Sequence, residues 1–272
     1  MKKFLCLISL LLAFTLAAAG CGSNDSKNQK HENSKNGSKD LLAEVEKEGK
    51  LVIGTEGTYP PFSFHDQSGK LTGFDVEIAS EIAKRIGVKP EFVETQWDAM
   101  FAGLDSKRFD MVANQVGIRP DREEKYSFSK SYTTSTAVLI TRTDNQKIKS
   151  FDDIKGLKSA QSMTSNYAEM AKKNGANLVG VEGFNQAIEL LQSKRADITI
   201  NDNLSFLDYK MKKPDANVKI VAESKDASKS GLMFRKNTDP LVDKVNGALN
   251  DMVKDGTYEK ISQKWFGENV LK

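Results

Sequence analysis

The order of apolar strands and amphipathic helices predicts an α/β fold with two lobes, built as two parallel-type sheets joined by two crossing strands. Three observations carry that expectation. A βαβαβ rhythm runs from residue 51 to 113, a second α/β series runs from 157 to 200, and strand-like stretches near 137–142 and 231–235 stand where two crossings would. A cleft between two such lobes is a favoured place for a small ligand.

The elements follow in order. Leu51-Val52-Ile53-Gly54 is a strand. Val76, Ile78, Ala79, Ile82, Ala83 and Ile86 recur at a helical period over 74–86, and Gly87 ends it. Phe92-Val93 and Met111-Val112-Ala113 are strands, with a short helix around Met100, Phe101 and Leu104 between them. Thr136 to Thr141 is dense in β-branched residues and reads as a strand. The second series has strands at 157–160, 178–179 and 198–200 and helices at 166–173 and 185–193. Strands at 218–221 and 231–234 follow, then a terminal helix over 241–254 with Val242, Val245, Leu249, Met252 and Val253 on one face. Lobe 1 is expected to comprise 41–140 plus 236–272, and lobe 2 to comprise 141–235.

At about 100–200 residues per domain, 272 residues allow one large or two medium domains. Lys and Arg number 40 against 37 Asp and Glu, a net charge of +3 with both signs interspersed. That pattern gives no reason to expect nucleic acid as a partner. Both cysteines, Cys6 and Cys21, fall in the first 21 residues, which excludes a disulfide framework or a cysteine site in the body. Two histidines are too few for a histidine-built zinc site. No metal or cofactor is expected.

The N-terminus reads as an address. Lys2 and Lys3 precede an apolar run from Phe4 to Ala19, short for a membrane span and suited to a signal peptide over 1–20. The run ends in Ala18-Ala19-Gly20-Cys21, which is similar to the lipobox of bacterial lipoproteins, although Ala18 stands where a larger aliphatic residue is usual. The similarity implies a lipid on Cys21. Residues 22–40 lack any aliphatic or aromatic side chain and read as a flexible tether. The expected location is therefore the extracytoplasmic face of the cell membrane, through a lipid anchor.

Candidate ligand groups lie at strand ends. Glu56 and Tyr59 sit in the loop Glu56-Gly57-Thr58-Tyr59-Pro60-Pro61-Phe62 after the first strand. There an aromatic and a carboxylate suit an ammonium, and a rigid turn explains the same residues equally well. Asn114-Gln115-Val116-Gly117 and Arg122 follow the third strand. The arginine offers a planar fork for a carboxylate, or a surface pair with Glu123 or Glu124. Backbone donors around Thr164 suit an anion, or are plain N-caps. Asp202 ends a strand where it either holds an ammonium or caps the next helix, and Trp97 is either a site wall or core. Taken together, these groups form a receptor for a zwitterionic amino acid. They contain no nucleophile–base pair.

Gly54-Thr55-Glu56-Gly57-Thr58-Tyr59-Pro60-Pro61-Phe62, Gly73-Phe74-Asp75-Val76-Glu77, Phe109-Asp110, Arg119-Pro120-Asp121-Arg122 and Gly256-Thr257-Tyr258 through Trp265-Phe266-Gly267 resemble the extracellular substrate-binding proteins of polar amino-acid ABC importers, over about residues 45–269. The resemblance implies the two-lobed periplasmic-binding-protein-like fold, hinge closure on the ligand, and delivery to a permease driven by a cytoplasmic ATPase. It also implies that Arg122 takes the ligand α-carboxylate with backbone donors at Gly117 and Thr164. Asp202 takes the α-ammonium, helped by main chain near Gln115, and Tyr59 and Trp97 form walls. Many relatives carry serine at position 117 and aspartate at position 56. Within the family, the loop from Glu56 to Phe64, Trp97-Asp98, Asp105-Ser106-Lys107-Arg108 and Asn114-Gln115-Val116 resemble the cystine-binding branch, with Glu56 and Asn114 facing the distal half of the ligand. Glutamine, arginine or diaminopimelate are alternative ligands. A cyclohexadienyl-dehydratase-like enzyme is the alternative activity, and the sensor domain of a receptor is a third reading. The expected state is a monomer.

Overall fold

Asp40 opens the first helix as its N-cap, its carboxylate accepting the Leu42 N–H at 3.1 Å. The computed structural model describes residues 40–271. The signal peptide, Cys21 and the tether up to residue 39 lie outside the described residues.

The first part of the chain runs α1 (Leu41–Glu48), β1 (Lys50–Thr55), β2 (Thr58–Tyr59), β3 (Ser63–His65), β4 (Leu71–Thr72), α2 (Phe74–Arg85), β5 (Lys89–Glu94), α3 (Trp97–Asp105), β6 (Met111–Val112), α4 (Pro120–Glu123) and β7 (Tyr126–Thr141). The second runs β8 (Lys158–Gln161), α5 (Asn166–Lys173), β9 (Asn177–Gly180), α6 (Phe184–Gln192), β10 (Ile198–Asp202), α7 (Asn203–Lys212) and β11 (Lys219–Arg235), and the chain closes with α8 (Asp239–Lys254) and α9 (Thr257–Phe266). The α/β architecture is the expected one.

Eight strands form one sheet in the order β5-β1-β6-β11-β7-β10-β8-β9, and β2, β3 and β4 form a small separate sheet. β1 pairs in parallel with β5 and β6, and β8 pairs in parallel with β9 and β10. Between these two parallel groups lie β7 and β11, antiparallel to each other from Lys219↔Thr141 to Arg235↔Tyr126. The two sheets expected from sequence are therefore one continuous ladder. Its crossing strands, 16 and 17 residues long, pair with both parallel groups.

Two differences from the sequence reading have a common cause. β7 starts ten residues before Thr136, and β11 runs unbroken over Lys219–Arg235, taking in the polar run 222–230 between the two expected strands. The added stretch of β7 is rich in Ser and Thr though largely buried, and that of β11 is polar and half-exposed, so little apolar alternation marks either. Register shifts between Ile220 and Ala222 and between Glu223 and Ala227 let the polar run stay paired. The helix α7 also gave no clear period, because Leu207 and Met211 face solvent at 52% and 75% exposure.

α2 is placed by its N-cap. Gly73 has φ +129°, and a side chain there would meet the Phe62 carbonyl. With glycine, Phe74 N–H donates to Pro61 O and Asp75 N–H to Phe62 O, both at 2.9 Å. Phe62 and Phe74 are then fully buried, each contributing about 1.5–3 kcal/mol. This packing locks the loop after β1 against the start of α2, and it sets Asp75 in the interior.

Candidate functional site

The carboxyl ends of parallel strands from the two groups face each other across a cavity, as open α/β sheets arrange ligand sites. Glu56 and Tyr59 follow β1, Trp97 opens α3, and Asn114 and Gln115 follow β6. Opposite them stand Gln161 and Tyr167 around the β8–α5 turn, Phe184 at the start of α6, and Asn201 on β10. The cavity holds about 530 Å³ of empty space, counting the solvent continuous with it.

Contacts bridge the cavity. Tyr59 OH donates to Asn201 Oδ1 at 2.8 Å. The Asp98 carboxylate accepts Thr164 N–H at 3.0 Å and the Thr164 hydroxyl at 2.7 Å, with Met163 N–H at 3.3 Å. Arg119 pairs with Glu169. These contacts hold the two sides together.

Glu56 is buried and set by its neighbour. Asn114 Oδ1 accepts Glu56 N–H at 2.8 Å, and Asn114 Nδ2 donates to Glu56 Oε2 at 3.0 Å. A side chain at Gly183 would come within 3.2 Å of Glu56 Oε1, so glycine there makes room for the carboxylate. Burial pushes Glu56 up to about 7, against the Asn114 hydrogen bond, and the Asp98 charge adds to the rise. Both ends of the Asn114 amide are thus engaged with Glu56. Asn114 lines the cavity but acts on the carboxylate beside it.

Arg122 is 6% exposed, with its guanidinium carbon 5.5 Å from the Trp97 ring centre and 5.3 Å from that of Phe101. Its Nη1 donates to Gly117 O at 3.1 Å. Burial lowers it to about 10. Among the described residues no carboxylate makes an ion pair with it. Gly117 bridges Ser230, with the hydrogen bonds made by Ile118 N–H and Gly231 N–H on either side. In that geometry the Gly117 N–H and C=O both point away from Ser230, toward the arginine side.

Four of the expected ligand residues are not in the cavity lining: Gly117, Arg122, Thr164 and Asp202. Arg122 stands behind the indole of Trp97, bonded to Gly117. Thr164 is taken up by Asp98. Asp202 is the N-cap of α7, accepting Leu204 N–H at 2.9 Å, with Tyr167 OH at 3.2 Å and Ser135 Oγ on its other oxygen. The helix cap weighed for Asp202 is thus what the structure has. Burial still raises its carboxyl to about 6. Tyr59 and Tyr167 are raised well above the usual phenol value by burial.

Sequence reasoning missed Tyr167, Asn201, Gln161 and Phe184. Asn201 adjoins Asp202 and Tyr167 adjoins the 162–166 turn, so the only signal was proximity to segments already named. It also missed Asp75, which is fully buried and pushed up by burial to about 7, against hydrogen bonds from Gln115 and Tyr132. Glu56, Asp75 and Asp202 make no ion pair with a cation among the described residues. The site therefore gathers buried acids without a cation and a buried cation without an acid.

The profile of the family described as bacterial extracellular solute-binding proteins, family 3, matches residues 51–268. The chain is 52% identical over 274 residues to the L-cystine-binding protein TcyA of Bacillus subtilis (strain 168), covering all of both. Among solved structures it resembles an ancestral arginine-binding protein bound to glutamine, at 39% identity and TM-score 0.78, covering 81% of this chain and 99% of that one. It also resembles the L-cystine solute receptor of Neisseria gonorrhoeae in the unliganded open conformation, at 48% identity and TM-score 0.57, covering 85% and 99%. The score is higher against the ligand-bound structure although the identity is lower. That ordering agrees with the contacts across the cavity: the two sides stand in a closed arrangement. The fold is the two-lobed one of periplasmic binding proteins, and the chain belongs to the bacterial extracellular solute-binding proteins, family 3.

Proposed function

We propose that this chain captures an amino acid outside the cytoplasm for an ABC importer, and that its ligand is L-cystine. The carrying observation is the charge complement of the site: Arg122 buried without an acid, and Glu56, Asp75 and Asp202 buried without a cation. Isolated buried charges are costly. A zwitterion supplies the missing partner to each side. Cystine carries two ammonium and two carboxylate groups, so its proximal half uses Arg122, Gly117 N–H and the Asp202 side of the site. Its distal ammonium faces Glu56, held by Asn114. Tyr59 and Trp97 are the walls. Thr164 contributes by fastening Asp98 across the cavity once the lobes close. The relative at 52% identity over the whole chain supports the choice of ligand.

The lobes are 41–140 with 236–272, and 141–235, hinged at β7 and β11. The protein works as a monomer, passes its ligand to a permease powered by a cytoplasmic ATPase, and carries out no catalytic step. Calorimetric titration of ligand-stripped protein against L-cystine, cysteine, glutamine, arginine and diaminopimelate tests the reading. Cystine binds tightest, and glutamine or arginine displacing labelled cystine at equal or lower concentration would overturn the ligand choice.

The anchor has its own test. Cys21 follows the apolar run and small residues of a lipobox-like segment, and the polar tether behind it gives reach. Cys21→Ala releases the protein into the medium. Retention of the processed variant in the membrane fraction would count against lipidation at Cys21.

A further inference from the structure

Asp75 belongs to the charge complement of the site without a direct ligand contact assigned to it, and it is the most completely buried acid beside the cavity. It sits in the first turn of α2, where the Gly73 cap has placed it. Its Oδ2 accepts Gln115 N–H at 2.9 Å and its Oδ1 accepts Gln115 Nε2 at 2.6 Å. Gln115 has φ +50°, the left-handed region, and these two bonds hold it there. Nε2 also reaches Thr133 Oγ1 at 3.2 Å and Tyr132 OH at 3.5 Å.

The other end of the same amide is different. Gln115 Oε1 is buried with no hydrogen-bond partner, and Gln115 lines the cavity. Buried polar atoms are almost always bonded, so an orphan acceptor here points to a donor on the ligand. The amide oxygen and nitrogen have nearly the same shape, and which end faces the ligand decides whether a cation is attracted or repelled. A carboxylate accepts and does not donate. Against Asp75 the amide must turn Nε2 inward, leaving Oε1 for the cavity.

We propose that Asp75 is a positioning residue for ligand capture: it takes the backbone and side-chain N–H donors of Gln115 and so presents Gln115 Oε1 to the cavity as an acceptor for a ligand ammonium. This rests on the amino-acid reading of the site. An asparagine at position 75 offers one acceptor and one donor, so it lets the Gln115 amide turn round and face the ammonium with Nε2.

Two measurements test it. Titrate wild type, Asp75→Asn, Gln115→Met and the double variant with L-cystine, glutamine and arginine. All three carry an α-ammonium, so whichever binds is the probe. Each single variant loses about tenfold in affinity, the scale of one charge-assisted hydrogen bond, and the double variant binds no worse than Gln115→Met. Losses that multiply in the double variant would make Asp75 merely structural and overturn the proposal, as would unchanged affinity in either single variant. If no amino acid binds wild type, the ligand reading itself falls and takes this proposal with it. The second measurement needs no ligand. In nitrogen-15-labelled unliganded protein the Gln115 side-chain N–H protons exchange slowly with solvent, and in Asp75→Asn they exchange faster. Exchange in wild type as fast as that of a surface glutamine overturns the orientation whatever the titrations give. Where Asp75→Asn lowers the Tm, Gln115→Met, which leaves Asp75 in place, carries the titration test.

Discussion

Arg122→Ala abolishes tight amino-acid binding while leaving the unliganded protein folded. The arginine is buried against Trp97 and Phe101 and bonded to the Gly117 carbonyl, and among the described residues its positive charge has no acid partner before the ligand arrives. Removing one member of a buried, hydrogen-bonded charge pair costs about 2–5 kcal/mol, which is roughly a thirtyfold loss of affinity or more. The same substitution removes an uncompensated buried charge from the unliganded protein. The lost stacking on two rings and the lost charge then act in opposite directions on stability. The expected result is a large loss in calorimetric titration with only a small change in Tm. An affinity within threefold of wild type would remove Arg122 from the site. Arg122→Lys also binds worse, because an ammonium neither stacks on both rings nor offers a planar fork.

How much of this was legible in the sequence depended on whether the signal was local. Period and turn chemistry gave the α/β alternation, because Ile78, Ile82 and Ile86 recur on one helix face and Gly87 stops it. The polar halves of β7 and β11 left no such trace, since their order comes from pairing with each other. The cavity residues on the first side follow strand ends and were found together: Glu56, Tyr59, Trp97, Asn114 and Gln115. The opposite side was read one residue away from where it acts. Asp202 carries the charge that drew attention and caps α7, while its neighbour Asn201 meets Tyr59. Thr164 has the donors expected of it, but Asp98, 66 residues earlier, supplies the carboxylate they bind. Asp75 and Gln115, 40 residues apart, lie in two quoted motifs and give no sequence sign that they touch. Long-range pairings of this kind are set by tertiary packing, which no window of sequence contains.

Glu56→Gln separates cystine from ligands that lack a distal ammonium. In the closed cavity burial lifts the Glu56 carboxyl to about 7, and Asn114 Nδ2 donates to its Oε2. A distal ammonium pairs with the ionised form alone. Cystine affinity is therefore full above about pH 7 and falls as the pH drops through that value, by at most about tenfold per pH unit for one proton. Asp75 and Asp202 titrate in a neighbouring range, raised to about 7 and about 6, but they act on the α-amino end that every amino acid shares. Comparing cystine with glutamine at each pH cancels their part and leaves that of Glu56. In wild type the preference for cystine over glutamine shrinks as the pH is lowered from 8 to 5. In Glu56→Gln, which keeps the side chain's size and one acceptor but no charge, cystine loses about tenfold or more at pH 8, in line with one charged hydrogen bond. The pH dependence of the preference then disappears. Parallel loss of cystine and glutamine binding in both proteins would show that Glu56 does not meet the distal half of the ligand, and the site would have to recognise cystine through contacts on the Tyr167 and Phe184 side instead.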